Sequence, residues 1–66
     1  MKNMIKVERA KKNWTQEDLA NAIDVSRQSI NSIESGKFIP STLLALKMAK
    51  AFKTTVDEIF RLEKGD

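Results

Sequence analysis

Residues 15 to 36 read Thr15-Gln16-Glu17-Asp18-Leu19-Ala20-Asn21-Ala22-Ile23-Asp24-Val25-Ser26-Arg27-Gln28-Ser29-Ile30-Asn31-Ser32-Ile33-Glu34-Ser35-Gly36. Thr15 followed by Gln16-Glu17-Asp18 has the form of a capping box, with an acid at the third helical position. Glu17 and Asp18 also suit the positive end of a helix dipole. A helix is predicted over about Gln16 to Ala22, with Leu19 and Ile23 inward and Ala20 small enough for close helix contact. Ile23-Asp24-Val25 reads as a tight turn. Ser26 caps a second helix, about Arg27 to Ser35. Val25, Ile30 and Ile33 recur on one side of it, and Arg27, Gln28, Asn31 and Ser32 fall elsewhere. Gly36 sits where a left-handed stop is wanted.

Outward from this unit the punctuation stays regular. Asn3 is a candidate cap for a first helix, Met4 to Asn13, made basic by Lys6, Arg9, Lys11 and Lys12. Lys37-Phe38-Ile39-Pro40 is a loop. Ser41 caps a fourth helix, Thr42 to Phe52, whose core stripe takes Ala45, Leu46, Ala49 and Phe52. Thr54-Thr55 restarts the chain, and Val56 to Phe60 forms a fifth helix. Phe60-Arg61-Leu62-Glu63 is expected to run extended and pair with Lys2-Asn3. The expected fold is all-α: five helices in a single domain, residues 1–66, with a short two-stranded pair from the termini.

Composition narrows the function. Twelve Lys and Arg against nine Asp and Glu give a net charge of +3 and a pI near 9.5. This balance permits a nucleic-acid partner without proving one. The sequence has no Cys and no His. That excludes disulfides, Cys/His zinc sites, and Ser-His-Asp or Cys-His catalysis. The adjacent acids Glu17, Asp18, Asp57 and Glu58 fall at helix starts, where capping explains them. No phosphate loop or nucleophile–base set accompanies them, so no enzyme activity, cofactor or metal is expected. The apolar runs are too short to span a membrane or form a signal peptide, so a cytoplasmic protein is expected, nucleoid-associated where its partner is DNA. A chain of this size buries only ~60% of its unfolded surface, so oligomerisation is expected on grounds of stability alone.

Two short helices joined by a tight turn cross at ~90–120°, and the polar face of the second can enter a DNA major groove. Arg27 and Gln28 stand at its exposed tip. Arginine can donate twice to guanine O6 and N7, and glutamine can pair with adenine N6 and N7. Free backbone N–H groups at the helix starts suit phosphates.

Thr15-Gln16-Glu17-Asp18-Leu19-Ala20, Val25-Ser26-Arg27-Gln28-Ser29-Ile30, Ile33-Glu34-Ser35-Gly36-Lys37 and Pro40-Ser41 together resemble the Xre family of lambda-repressor-like helix-turn-helix proteins. The resemblance covers Asn3 to Phe60. It implies a small dimeric prokaryotic transcription regulator, its helix-turn-helix unit over about 16–35. Residue by residue, it implies base contacts from Arg27, Gln28 and Ser32, with Asn31 beside them. It implies phosphate contacts from Gln16, Ser26, Ser29 and Lys37, and an internal ion pair between Arg9 and Glu34. Three residues depart from the pattern. Asp24 stands where Gly usually serves a positive φ, Lys53 stands where Gly often ends the fourth helix, and Glu8 takes a commonly apolar position. A buried unpaired carboxylate is costly, so Glu8 is expected at the rim or beside a basic partner.

Trp14 is expected to lie as a lid over the first two helices. The lysines of the first helix read as a solvated face. Asn13-Trp14-Thr15 matches a glycosylation sequon without a secretory signal to give it meaning. Leu43 shares a stripe with Lys47 and Lys50 rather than with the core. It is either an ordinary exposed leucine or, with Val56, Phe60 and Leu62, the border of a dimer interface. The leading expectation is a homodimeric regulator, a repressor, on an inverted repeat of double-stranded DNA, with no small-molecule ligand. The competing expectation is an antitoxin or protein-interaction module using the surface of the fourth and fifth helices.

Overall fold

The computed structural model describes residues 1–66. In chain order the elements are β1 (Lys2–Asn3), α1 (Ile5–Lys12), α2 (Gln16–Ile23), α3 (Arg27–Glu34), α4 (Thr42–Phe52), α5 (Val56–Ile59) and β2 (Phe60–Arg61). The two strands pair antiparallel, Lys2 opposite Arg61 and Asn3 opposite Phe60. The expected five helices and terminal strand pair are thus present.

Side-chain caps set the helix starts. Thr15 accepts from the Asp18 N–H while Asp18 accepts from the Thr15 N–H, closing the capping box. Ser26, Ser41 and Thr55 accept from the N–H three residues on. Asn3 works differently from a plain cap. Its Oδ1 accepts from the Ile5 N–H at 3.2 Å, while Nδ2 donates to the carbonyls of Ile33 and Glu34 at the end of α3. One side chain therefore fastens the start of α1 to the end of α3.

The core joins all five helices and β2: Ile5, Leu19, Ile30, Ile33, Met48 and Ile59 are its largest fully buried side chains. Burial of each such side chain stabilises by ~1.5–3 kcal/mol relative to exposure. The stripe of α4 is Ala45, Met48, Ala49 and Phe52, and Leu46 is 55% exposed, contrary to expectation. The reason is geometric: 45, 48, 49 and 52 follow the i, i+3, i+4, i+7 rule, and 46 lies a hundred-degree step off it.

Trp14 is half-buried against the core, and its ring packs on Phe52 at the end of α4, centroids 5.7 Å apart and tilted, a contact the sequence did not indicate. Lys12 Nζ lies 5.2 Å from the centroid of the same ring. Glu8 is buried, and Lys11 supplies the basic partner at 2.9 Å.

Three helices end on a left-handed non-glycine residue: Asn13 closes α1, Asp24 closes α2 and Lys53 closes α4. α3 ends instead on Ser35, and the left-handed step falls on Gly36 at φ 82°.

Candidate nucleic-acid interface

The turn after α2 is made by Asp24 at φ 58°, which lets Ser26 start α3 after two residues. Ile30 and Ile33 drive into the core and fix the rotation of α3 about its axis. The opposite face is left to solvent. Arg27, Gln28 and Asn31 are exposed there and line one open recess.

A second recess adjoins it, lined by Ser26, Gln28, Ser29, Ser32, Lys37 and Phe38. Ser26 and Ser29 share a hydroxyl–hydroxyl bond of 2.9 Å across the first turn of α3. Ser32 is half-buried, and its carbonyl accepts from the Lys37 N–H at 3.0 Å and from Ser35 Oγ at 3.1 Å. Lys37 is thereby held beside the end of α3 with its side chain free.

Gln16 opens α2, and its Nε2 donates to Asn31 Oδ1 at 3.4 Å. Arg9 and Glu34 sit behind this face rather than on it. Arg9 Nε and Nη2 reach the two Glu34 oxygens at 2.8 and 3.0 Å, and Arg9 Nη1 donates to the Trp14 carbonyl at 2.9 Å. The pair ties α1 and the α1–α2 loop to the end of α3, so the polar face is carried on a braced support.

A helix with an apolar side in the core and a row of Arg, Gln, Asn and Ser outward, approached by a capped second helix, is the form that reads a DNA groove. A helix-turn-helix family model matches residues 5–59. The chain belongs to that family, the Xre or lambda-repressor-like helix-turn-helix proteins. An uncharacterized HTH-type transcriptional regulator of Methanocaldococcus jannaschii is 52% identical over 66 residues, the full length of both chains. One from Bacillus subtilis is 44% identical over 64 residues, 97% of each chain. The crystal structure of a restriction-modification controller protein from Aeromonas hydrophila superposes with a TM-score of 0.78 at 28% identity, covering 85% of each chain. This helix-turn-helix protein is thus a DNA-binding transcriptional regulator with relatives among archaea and bacteria.

The residues expected to form its interface are distributed as follows. Arg27, Gln28 and Asn31 share one recess, and Ser26, Ser29, Ser32 and Lys37 share the next, with Gln28 common to both. Gln16 joins them through Asn31.

Leu43, Val56, Phe60 and Leu62 are not brought together in the same way. Val56 and Phe60 line an apolar groove with Met1, Ile39, Pro40 and Leu46, and Phe60 is 7% exposed. Leu43 and Leu62 stand outside that groove, 65% and 83% exposed. Sequence reasoning passed over Ile39 and Leu46 in this groove. Placing Leu46 in the core hid the signal, and the wheel position of Leu46 relative to Ala45 and Ala49 contained it. No helix is long and apolar enough to cross a membrane.

Proposed function

We propose that the chain is a single-domain, homodimeric, sequence-specific repressor that reads an inverted repeat with α3 in the major groove. Arg27, Gln28, Asn31 and Ser32 meet base edges, and Gln16, Ser26, Ser29 and Lys37 meet the flanking phosphates. The observation that carries this reading is the division of α3, with Ile30 and Ile33 buried and Arg27, Gln28 and Asn31 exposed together. Repression follows from occupying promoter sequence, which needs no surface beyond the one that binds.

The dimer contact in this proposal centres on the apolar groove at Val56 and Phe60, with Leu46 and Ile39 at its edge and Leu43 and Leu62 at its rim. Ile39 is 68% exposed and Leu46 55%, next to an open apolar surface. A two-fold contact sets the same patch against itself. It would place two α3 helices ~34 Å apart, one turn of DNA. The same groove supports a second reading, in which a different protein, such as a toxin partner, docks on α4 and α5.

Selection from a random duplex pool, with sedimentation of the protein alone and with the enriched DNA, tests the proposal. The expected result is a two-fold symmetric site bound by two chains. Failure to enrich any sequence at low salt would overturn it, and a persistent monomer that captures a toxin-like protein would favour the second reading.

A further inference from the structure

We infer that Phe38 reads thymine: its side chain covers the C5 methyl group of a thymine at the flank of the major groove, beside the bases met by Gln28 and Ser32. This inference rests on the DNA-reading surface proposed above and adds one specificity-determining contact to it.

The end of α3 fixes where Phe38 lies. The Lys37 N–H bonds to the Ser32 carbonyl at 3.0 Å and the Gly36 N–H to the Ile33 carbonyl at 3.1 Å. This pair of backbone bonds turns the chain back on the helix at Gly36. Phe38 follows directly. It lines the recess of Ser26, Gln28, Ser29, Ser32 and Lys37, and it is the one apolar residue there. A smaller pocket that Phe38 also borders is lined by Ile33, Pro40 and Phe60. Phe38 therefore stands at the boundary between the core side of the loop and the recess, and 54% of it remains exposed.

An exposed apolar residue is ordinary in itself. Here its surroundings select what covers it. The hydroxyls, amide and ammonium around Phe38 are groups that meet bases and phosphates, so a duplex that approaches Gln28 and Lys37 also approaches Phe38. Among the groups that base pairs present in the major groove, the thymine methyl is the apolar one. C5 adjoins C6 on the glycosidic side of the ring, so the methyl stands at the flank of the groove, near the phosphate wall. Phe38 has the matching place in the protein, next to Lys37, proposed for a phosphate, and sharing its recess with Gln28 and Ser32, proposed for bases. Cytosine carries only a hydrogen at C5 and buries less apolar surface. A purine presents the N7 acceptor on that flank, which loses its water against the ring. Apolar burial has no direction, so this contact requires no fixed rotamer and no oriented hydrogen bond.

The decisive experiment changes the methyl and leaves the protein intact. Site selection should enrich thymine at one position of each half-site. Replacing that thymine by deoxyuridine in one half-site removes only the methyl and should weaken binding about fourfold, as expected for one buried methyl. Phe38→Ala should bind the thymine and deoxyuridine duplexes equally. Phe38→Gln, similar in reach but polar, should do the same, and Phe38→Leu should keep most of the difference. 5-Methylcytosine in place of cytosine at this position should raise the affinity of the wild-type protein and leave that of Phe38→Ala unchanged. Each protein is compared with itself on two duplexes, so a general loss of affinity or stability cancels.

Deoxyuridine at each thymine of the selected half-site in turn, with no loss for the wild-type protein, would overturn the inference. A methyl effect that keeps its full size in Phe38→Ala or Phe38→Gln would also overturn it, by giving the methyl to another side chain. Either result leaves the operator reading intact. A wild-type protein that enriches no sequence would remove the operator reading itself, and this inference with it.

Discussion

Arg9 holds Glu34 by a two-pronged pair, Nε to Oε2 at 2.8 Å and Nη2 to Oε1 at 3.0 Å, with both side chains largely shielded. The third arm of the same guanidinium reaches the Trp14 carbonyl. The pair spans 25 residues of sequence, so it locks α1 and the α1–α2 loop to the far end of α3. Charge-assisted, two-pronged geometry is the strong form of such bonds. Removing one partner leaves the other shielded and unpaired, which costs about 2–3 kcal/mol at this degree of burial. Arg9→Ala and Glu34→Ala should each lower the unfolding free energy from urea titration by that amount, and the double variant should cost less than their sum. Arg9→Lys should recover only part of the loss, because an ammonium cannot make the paired bonds. Additive single losses would show that the pair contributes no coupling.

The three left-handed helix ends make a second prediction. Asn tolerates this conformation best, Asp next, and Lys least among the residues present. Lys53 lies at φ 57°, ψ 45° with no side-chain bond to offset the strain. Lys53→Gly should therefore stabilise the fold by about 1 kcal/mol, a rise in Tm of roughly 4–8 °C for a domain of this size. Asp24→Gly should give a smaller gain, because Asp24 accommodates φ 58° more readily. Thermal melts that rank the two the other way would contradict this account of the turns.

The parts of the fold legible in the sequence are those set by local chemistry. Thr15, Ser26, Ser41 and Thr55 announce their helices because a cap is a bond to a backbone N–H three residues away. The Ile30–Ile33 side of α3 is legible because its period is that of the helix. Leu46 was misread because an all-apolar stretch such as Leu43-Leu44-Ala45-Leu46 has no polar face to fix its phase. The contact of Trp14 with Phe52 is not legible for a different reason: the two are distant in sequence and meet only through tertiary packing. The contact between Gln16 and Asn31 depends on the crossing of α2 and α3, which no pattern within either helix reports.

The chain ends supply a pH-dependent contact. The Met1 ammonium lies 3.1 Å from Glu63 Oε1 and 3.2 Å from Asp66 Oδ2. Its hydrogen bonds, to Glu63 first and then to Asp66, raise the pKa of the amine above the ordinary 8.0. The Glu63 N–H, donating to Asp66 Oδ2 at 2.7 Å, and then the Met1 ammonium lower the Asp66 carboxyl below the ordinary 3.8. The raised amine stabilises fully below pH 8.0, and that contribution is lost as pH climbs through its raised value. The lowered carboxyl stabilises fully above pH 3.8, and its share is lost as pH falls through its lowered value. Protection of the β1–β2 amides against exchange, corrected for intrinsic rates, should form a plateau between these limits. Acetylating the amine should remove the alkaline limb, and Asp66→Asn the acid limb. The cluster is open to solvent, so added salt should flatten both. A profile that kept its alkaline limb after acetylation would assign that limb to another group.

Within the proposed interface, Arg27 and Lys37 should fail in different ways. Arg27 stands exposed at the start of α3 beside Gln28 and Asn31. Arg27→Ala should relax preference at one base pair, with a loss of ~1–3 kcal/mol on the preferred sequence and less on others. Lys37 is anchored through its backbone to the Ser32 carbonyl, with its ammonium free to reach a phosphate. Lys37→Ala should weaken binding to all sequences alike and reduce the slope of log affinity against log salt by about 1. Titrations of the selected site and a scrambled duplex at two salt concentrations separate the two signatures. Equal effects of both variants on both duplexes would mean that the recess at Arg27 does not read bases.

The apolar groove makes the last prediction, and its residues differ in what they can do. Phe60 and Ala45 are buried in the fold itself, so replacing them would confuse folding with assembly. Leu46 is the better probe, because it lines the groove and remains 55% exposed. Charge there costs the isolated fold little, since exposed substitutions away from special features change stability by about ±0.5 kcal/mol. An acid at the edge of this groove must be desolvated against Val56, Ile39 and Pro40 when the two-fold contact closes. Leu46→Glu should therefore weaken self-association by roughly 2 kcal/mol or more, about a thirtyfold rise in the dimer Kd, while the monomer keeps its helical spectrum. Leu43 is one turn nearer the start of α4 and does not line the groove. Leu43→Glu should act as a rim change and shift the same Kd by no more than about threefold. Sedimentation across a concentration series distinguishes the two. A larger effect from Leu43 than from Leu46 would move the contact to the lysine-bearing face of α4, beside Lys47 and Lys50 and away from the groove.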